Sequence, residues 1–396
     1  MKINKIKTAI ILPLLFGCSV MAQNKAVLSD QLKWSERTAL SILNKYPNAW
    51  QLDGNDKSKW DYKMGFVLDG FEKLYLKTKD KKYLNYIKNY VDEMIDSTGN
   101  IKNYKLNVYN VDNLNPGKLL FNLYEETKDS RYKNLTGILR TQLETQPRTP
   151  SGGFWHKQIY PNQMWIDGLY MAEPFYTQFT VKYEKGKSLD DIARQFELAH
   201  DHLVDQKTGL VYQCWDESKE IAWANKQTGT SPTIWGRGIG WYMVALVETL
   251  DYFPKSHPKQ KVLVEYLNQI SKSANEYKSE SGLWYQIADK PQLYANYVEP
   301  SASAMIIYAF AKGANKGYLP STYKSIAKKS FESFIKEFVK IDKSGEVNIK
   351  NVSPSVGLGG KPFRDGTNDY YLNGKTKDNG AIGFGAFLLS AIELNK

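Results

Sequence analysis

Cysteine is nearly absent from this chain. Among 396 residues only Cys18 and Cys214 occur. The first falls in what reads as an export segment, so the mature chain keeps a single thiol and no internal disulfide. Beside Trp215, Cys214 reads as buried filler. Histidine is scarce too. His156, His200, His202 and His257 show no paired ligand spacing, so no metal site is expected. His200 and His202 read as part of a solvated helix face. No nucleophile elbow or phosphate-cradling loop occurs, and no cofactor is implied. No apolar run is long enough to span a bilayer. No Pro/Ser-rich linker divides the chain, and strand-like alternation is nearly missing outside short loop pieces.

Nor are the charges gathered into a block. Lysine and arginine number 53 against 42 acidic residues, a formal charge of +11 that becomes +8 without Lys2, Lys5 and Lys7. The remaining lysines are scattered along helix faces, whereas nucleic acid wants a basic stripe. A diffuse positive field suits an acidic oligosaccharide. No stable protein partner is implied.

What is present begins with an N-terminal signal. Lys2, Lys5 and Lys7 precede the apolar run Thr8 to Phe16, and Val20-Met21-Ala22 is an acceptable cleavage site before Gln23. Residues 1–22 are therefore read as a signal peptide and 23–396 as the folded domain, exported to the periplasm or secreted. Leu15-Phe16-Gly17-Cys18 offers a lipoprotein anchor at Cys18 as the alternative, with Phe16 bulky for that role. Aromatic residues are abundant, at 13% with 27 Tyr and 10 Trp. Their flat apolar faces and polar edges suit sugar rings, and many must also fill the core.

Apolar periodicity predicts twelve amphipathic helices. They span 30–45, 64–78, 81–96, 115–128, 131–146, 163–180, 188–204, 235–252, 259–277, 301–315, 321–340 and 379–394. Two repeats organise them. The corner Leu74-Tyr75-Leu76-Lys77-Thr78-Lys79-Asp80 returns as Leu123-Tyr124-Glu125-Glu126-Thr127-Lys128-Asp129, with Asp80 and Asp129 as natural N-caps. A Gly turn follows every second helix, at Gly99, Gly152, Gly209, Gly282 and Gly345. Equivalent loops thus fall at one end of six antiparallel hairpins. An all-α, single-domain (α/α)6 toroid satisfies this pattern, even helices inside and odd helices outside. An open α-solenoid is the other possibility.

If the ring closes, the N-termini of the even helices meet around one cavity, where anions are favoured. Asp167 stands there among Met164, Trp165, Ile166 and Leu169. A carboxylate in so apolar a wall must be paired or must hold a proton; the plainer reading is a buried cap. Asp112 precedes the fourth helix as a second acid, or merely as a cap. One protonated and one ionised carboxyl is the pairing that glycoside chemistry uses. Arg237 shares a helix face with Trp241 and offers a planar fork for a carboxylate. The alternative for it is a core arginine on a structural acid.

The runs Gly152-Gly153-Phe154-Trp155-His156-Lys157, Met164-Trp165-Ile166-Asp167-Gly168-Leu169-Tyr170-Met171, Trp215-Asp216-Glu217, Trp223-Ala224-Asn225, Ser231-Pro232, Trp235-Gly236-Arg237-Gly238-Ile239-Gly240-Trp241-Tyr242 and Gly282-Leu283-Trp284-Tyr285-Gln286-Ile287 resemble, in order and spacing, the unsaturated rhamnogalacturonyl hydrolases of glycoside hydrolase family 105. The resemblance covers nearly the whole chain after residue 30. It implies the closed toroid and a substrate with a Δ4,5-unsaturated uronic acid at its non-reducing end, left by a polysaccharide lyase. It implies that Asp167 protonates C4 and then serves as base for water adding at C5, and it aligns Asp112, the second acid of the candidate pair, with a sugar-binding position. Tyr62, His156, Lys157, Trp235, Arg237 and Trp241 fall on sugar-binding positions. Gln213 stands where many relatives have His, a departure that touches the sugar recognised. Rhamnogalacturonan and sulfated ulvan fragments both remain open as parent polymers. So do a non-catalytic oligosaccharide-binding toroid and ordinary inverting hydrolysis.

Overall fold

The computed structural model describes residues 27–396. The expected signal peptide, residues 1–22, and with it Cys18, lies outside the described residues. Six helices form an inner ring: α2 (Tyr62–Thr78), α4 (Lys118–Thr127), α6 (Ile166–Tyr183), α8 (Gly236–Leu250), α10 (Pro300–Asn315) and α13 (Ala381–Glu393). Each packs on the next, and α13 packs back on α2, so the ring closes. Six others lie outside: α1 (Trp34–Lys45), α3 (Lys81–Glu93), α5 (Ser130–Thr145), α7 (Leu189–Leu203), α9 (Pro258–Glu276) and α11 (Thr322–Phe338). The chain is an (α/α)6 toroid. Burial explains the two rings. Every residue of α8 is buried, whereas α3 buries only one face, at Tyr83, Leu84, Tyr86, Ile87, Tyr90 and Val91.

Both repeats have a common geometry. At the first corner Lys79 is left-handed (φ 61°), Thr78 Oγ1 donates to the Leu74 carbonyl, and Asp80 accepts from the Lys82 amide. At the second, Lys128 (φ 58°), Thr127 and Asp129 do the same with Leu123 and Arg131. The turn glycines all take positive φ, from 66° at Gly209 to 99° at Gly152, which is why glycine serves there.

Three expectations need correction. The sixth helix does not begin at 163. Residues Gln163–Trp165 form a short strand, β1, antiparallel to β2 (Cys214–Asp216), and the helix starts at Ile166. A second small ladder pairs β3 (Val339–Ile341) with β4 (Val347–Ile349), and a short helix, α12 (Asn368–Leu372), precedes α13. Last, His200 and His202 are not simply solvated: their rings stack on Tyr266 and Trp215, at 4.1 and 3.8 Å.

The inside of the ring is filled. Near one end Phe66, Tyr170 and Trp241 pack edge to face and face to face, with centroids 5.0 to 5.5 Å apart. Beyond them lies a buried charge cluster drawn from five inner helices. Lys73 donates to Asp69 (3.1 Å) and Glu248 (3.0 Å), and Lys312 donates to Glu248 (2.9 Å). Tyr308 donates its hydroxyl to Glu248, and Lys118 donates to Tyr170 Oη (2.7 Å). Burial, then the neighbouring Asp69, pushes Glu72 at the edge of this cluster up to about 8.

Candidate active site

At the end of the ring opposite the helix–helix corners lies a cleft of about 300 Å³. Its walls are the N-terminal end of α2, the 3-10 stretch Val111–Gly117 that runs into α4, the loop carrying His156 to Tyr160, the first turn of α6, and a strap at Ser355–Gly357 with Arg364. A run of backbone bonds locks the central pieces together. The Val111 amide donates to the His156 carbonyl (3.1 Å), and the His156 amide donates to the Gln163 carbonyl (3.0 Å). The β1–β2 pairing and an Ile166 amide bond to the Gln213 carbonyl (2.8 Å) then fix the start of α6. Gly168 keeps that first turn bare, since a Cβ there would stand 3.1 Å from the His156 ring.

Of the acids that face this space, Asp112 and Asp167 stand in opposite electrostatic settings. Asp112 accepts from Lys157 Nζ (2.7 Å) on one oxygen and lies 3.3 Å from His156 Nε2 on the other. Burial would raise its carboxyl, but Lys157 and His156 outweigh that and hold it well below the usual range. Burial likewise depresses the Lys157 ammonium, and Asp112 more than restores it, leaving it raised. Asp167 has no such cation. Burial pushes its carboxyl up, with the Asp112 carboxylate adding to the effect against His156 and Lys157. Its Oδ1 is buried and has no hydrogen-bond partner among the described residues. The site thus holds one ionised and one protonation-prone carboxyl, the arrangement that acid–base chemistry at neutral pH requires. His156 and Tyr160 both stack on the Trp165 indole, at 4.6 and 4.8 Å, giving the cleft an aromatic wall.

Asp112, Asp167, Tyr62, His156 and Lys157 are therefore brought together at one cleft. Tyr62 stands at the first position of α2, bonded to Ser355 (3.3 Å) and packed on Trp241. Burial, and then Asp112, raises its phenol. The other four expected residues stand one layer deeper, and here the structure departs from the sequence reading. Trp241 lies beneath Tyr62 and is 1% exposed. Trp235 caps the start of α8 and donates to Gln286 (3.3 Å). Gln213 is fully buried, its amide oxygen taken by the Tyr371 hydroxyl.

Arg237 is fully buried over the Trp235 ring. Its guanidinium donates to Ser301 Oγ and to the carbonyls of Ser353 (3.1 Å) and Pro354 (2.5 Å), with Glu299 3.9 Å away. The reason is the strap. Residues 353–357 lie over these side chains, and a buried guanidinium takes the carbonyl oxygens they supply. Gln286 holds the same strap through Ser353 Oγ (3.1 Å). The strap residues and Arg364 escaped the sequence reading because a glycine-rich loop has no period. Its one chemical signal was an arginine among Gly357, Gly359, Gly360 and Gly366.

Comparison with known proteins agrees with this fold. Residues 34–396 match the model of Glycosyl Hydrolase Family 88. A solved glycoside hydrolase from family 105 of Clostridium acetobutylicum (C. acetobutylicum ATCC 824) is 40% identical, with a TM-score of 0.88 over 92% of this chain and 99% of that one. The unsaturated rhamnogalacturonyl hydrolase YesR of Bacillus subtilis is 27% identical over 304 residues, 75% of this chain and 82% of the relative. An unsaturated 3S-rhamnoglycuronyl hydrolase of an Alteromonas species is 25% identical over 231 residues, 58% of this chain and 50% of the relative. A toroid with two unlike carboxyls at the end of its ring, matched over nearly its whole described length, is thereby a glycosidase, and the chain belongs to Glycosyl Hydrolase Family 88, with family 105 among its relatives.

Proposed function

We propose that this glycosidase removes a Δ4,5-unsaturated uronic acid from the non-reducing end of rhamnose-containing oligosaccharides made by polysaccharide lyases. The observation that carries the reading is Asp167: a carboxyl raised by burial, with one oxygen unpartnered, beside an Asp112 held ionised. A sugar-binding surface has no use for a proton donor in an apolar wall; a vinyl ether does. Asp167 protonates C4 of the double bond, the charge that develops at C5 is taken up by water, and the resulting carboxylate of Asp167 removes the water's proton. The C5 hemiketal then opens and the glycosidic link is lost. Asp112, fixed by Lys157 and His156, orients the sugar hydroxyls by accepting from them. The export segment suits a substrate met outside the cytoplasm.

The test offers the protein lyase-generated oligosaccharides beside their saturated counterparts. The conjugated ultraviolet absorbance of the unsaturated set should decay, and the saturated set should not be cleaved. Cleavage of the saturated set at a comparable rate would instead indicate ordinary hydrolysis. Between parent polymers, the rhamnogalacturonan disaccharide should show the higher kcat/KM, in keeping with the 75% coverage by the rhamnogalacturonyl relative. A higher value on the sulfated ulvan disaccharide would move the assignment to the chemistry named for the Alteromonas relative.

A further inference from the structure

Among the lysines and arginines that line the cleft, one has no acid as partner. The walls contribute Lys59, Lys63, Lys157 and Arg364 as bases and Asp61, Asp112 and Asp167 as acids. Lys59 pairs with Asp61 (3.3 Å), Lys63 with Asp53 just outside the wall (2.7 Å), and Lys157 with Asp112 (2.7 Å). Asp167 is the acid held towards its neutral form. Arg364 forms no ion pair among the described residues. Its contacts are neutral oxygens: Nε donates to the Gly359 carbonyl (2.8 Å), and Nη2 donates to the Leu358 carbonyl (3.2 Å) and to Tyr160 Oη (3.0 Å). These bonds use three of the five N–H donors of a guanidinium and leave the two on Nη1.

The seat of this guanidinium is built for it. A Cβ on Gly357 would lie 2.7 Å from Nη1, and one on Gly360 would lie 3.0 Å from Nη2. Two bare backbone positions therefore make room for the planar group, and one of them, Gly357, is itself part of the cleft wall. Tyr160, which receives Nη2, stacks on Trp165 two residues before Asp167. Leu358 sits in the same small apolar cluster as Tyr160, Trp165 and Cys214, so this end of the strap is seated firmly. Arg237 offers nothing equivalent: it is fully buried outside the cleft wall, its Nη1 and Nη2 are bonded to Ser301 and the strap, and its Nε, unpartnered among the described residues, is buried too.

We infer that Arg364 receives the carboxylate of the substrate's unsaturated uronate through Nη1, and that Arg237 is a positioning residue that holds the strap. This rests on the proposed function and adds the residue that selects for an acidic sugar. Binding the carboxylate neutralises the unpaired cation and turns the uronate ring toward Asp167 without spending either acid of the pair.

The probe is the unsaturated galacturonyl-rhamnose disaccharide, which carries one carboxylate, beside its methyl ester. For Arg364→Met, KM on the acid should rise about 10–100-fold, the range for a lost charge-assisted hydrogen bond. On the ester the same variant should stay close to wild type. Arg364→Lys should recover part of the loss, because a point charge replaces the fork. Should the methionine variant fold poorly, Gly357→Ala displaces the guanidinium and should give the same acid-selective loss. Arg237→Lys should lower kcat/KM equally on acid and ester. An equal penalty for Arg364→Met on both substrates, or none on either, overturns the assignment of Arg364. Wild-type protein that turns over no lyase product overturns the functional reading itself, a result separable from the first.

Discussion

Asp167→Asn should lower turnover by about 10²–10⁴-fold while the protein stays folded. The amide keeps the shape of the carboxyl in its pocket of Trp165, Ile166 and Leu169 but has no proton to give at neutral pH. Decay of the substrate's ultraviolet absorbance is the readout, and near-wild-type decay would remove Asp167 from the role. The pH profile supplies an independent check. The carboxyl must be protonated for the first step and lies above its ordinary value of 3.8. Turnover should therefore be level below the raised value and fall as pH climbs through it. Asp112, held below the usual range, stays ionised across that window and adds no second limb there.

The sign for stability runs the other way from that of most acids. A carboxyl raised by folding binds its proton more tightly in the native state, so stability falls as pH rises from the ordinary carboxyl value to the raised one. At neutral pH the wild type carries that penalty and the Asn variant does not. Asp167→Asn should thus melt no lower than wild type at pH 7, with the difference shrinking in acid. A site that gains stability when its catalytic group is removed is a site shaped for chemistry at the expense of the fold.

The largest loss of stability is expected at Glu248. This buried carboxylate accepts from Lys73, Lys312 and Tyr308 inside the inner ring. Burial would raise it, but Lys312 and Lys73 outweigh burial and hold it well below its ordinary value. Glu248→Leu fills a similar volume and strips a shared partner from two buried ammonium groups. Lys73 keeps Asp69 and Lys312 keeps Asp251, so the cluster is weakened and not emptied. Breaking a buried pair from one side costs about 3–5 kcal/mol, a large part of the ~5–15 kcal/mol that typically holds a domain together. Urea unfolding should show it as a lower midpoint. The double change Glu248→Leu with Lys312→Met should recover part of the loss, since it removes one stranded cation with its partner. A midpoint unchanged in the single variant would mean that the cluster is solvated in practice.

What could be read from the sequence follows from period and punctuation. The twelve long helices, the two matching corners at Lys79 and Lys128 and the five Gly turns all carry local signals; their regularity allowed either a closed ring or an open solenoid, and the family resemblance implied the ring. Asp112 and Asp167 could be placed together because each sits at or just before the start of an inner helix, and His156 and Lys157 joined them through the family resemblance. The start of α6 was misplaced because Gln163-Met164-Trp165 is as apolar as the helix it leads into, and a three-residue strand has no period of its own. Arg237 was read as a cleft residue because helical spacing shows which face it shares with Trp241, but not what lies over that face. The strap that covers it comes from more than a hundred residues downstream, in a segment of glycine and proline without repeating pattern. Contacts of that range are decided by tertiary packing alone, which is also why Arg364 went unnoticed.

The stack of Phe66, Tyr170 and Trp241 and the charged cluster beyond it stop the barrel like a cork. A tube closed from below has a single entrance. No polymer can be threaded through it, and nothing can leave by a rear exit while the next molecule arrives in front. On the function proposed, the enzyme works at termini: one residue enters, reacts and must depart by the same door before another is engaged. Its speed on a long polysaccharide then depends on how many ends are present and not on the mass of polymer. On that reading each internal cut made by a lyase creates one more end for it to trim, so the two activities should multiply when mixed instead of merely adding.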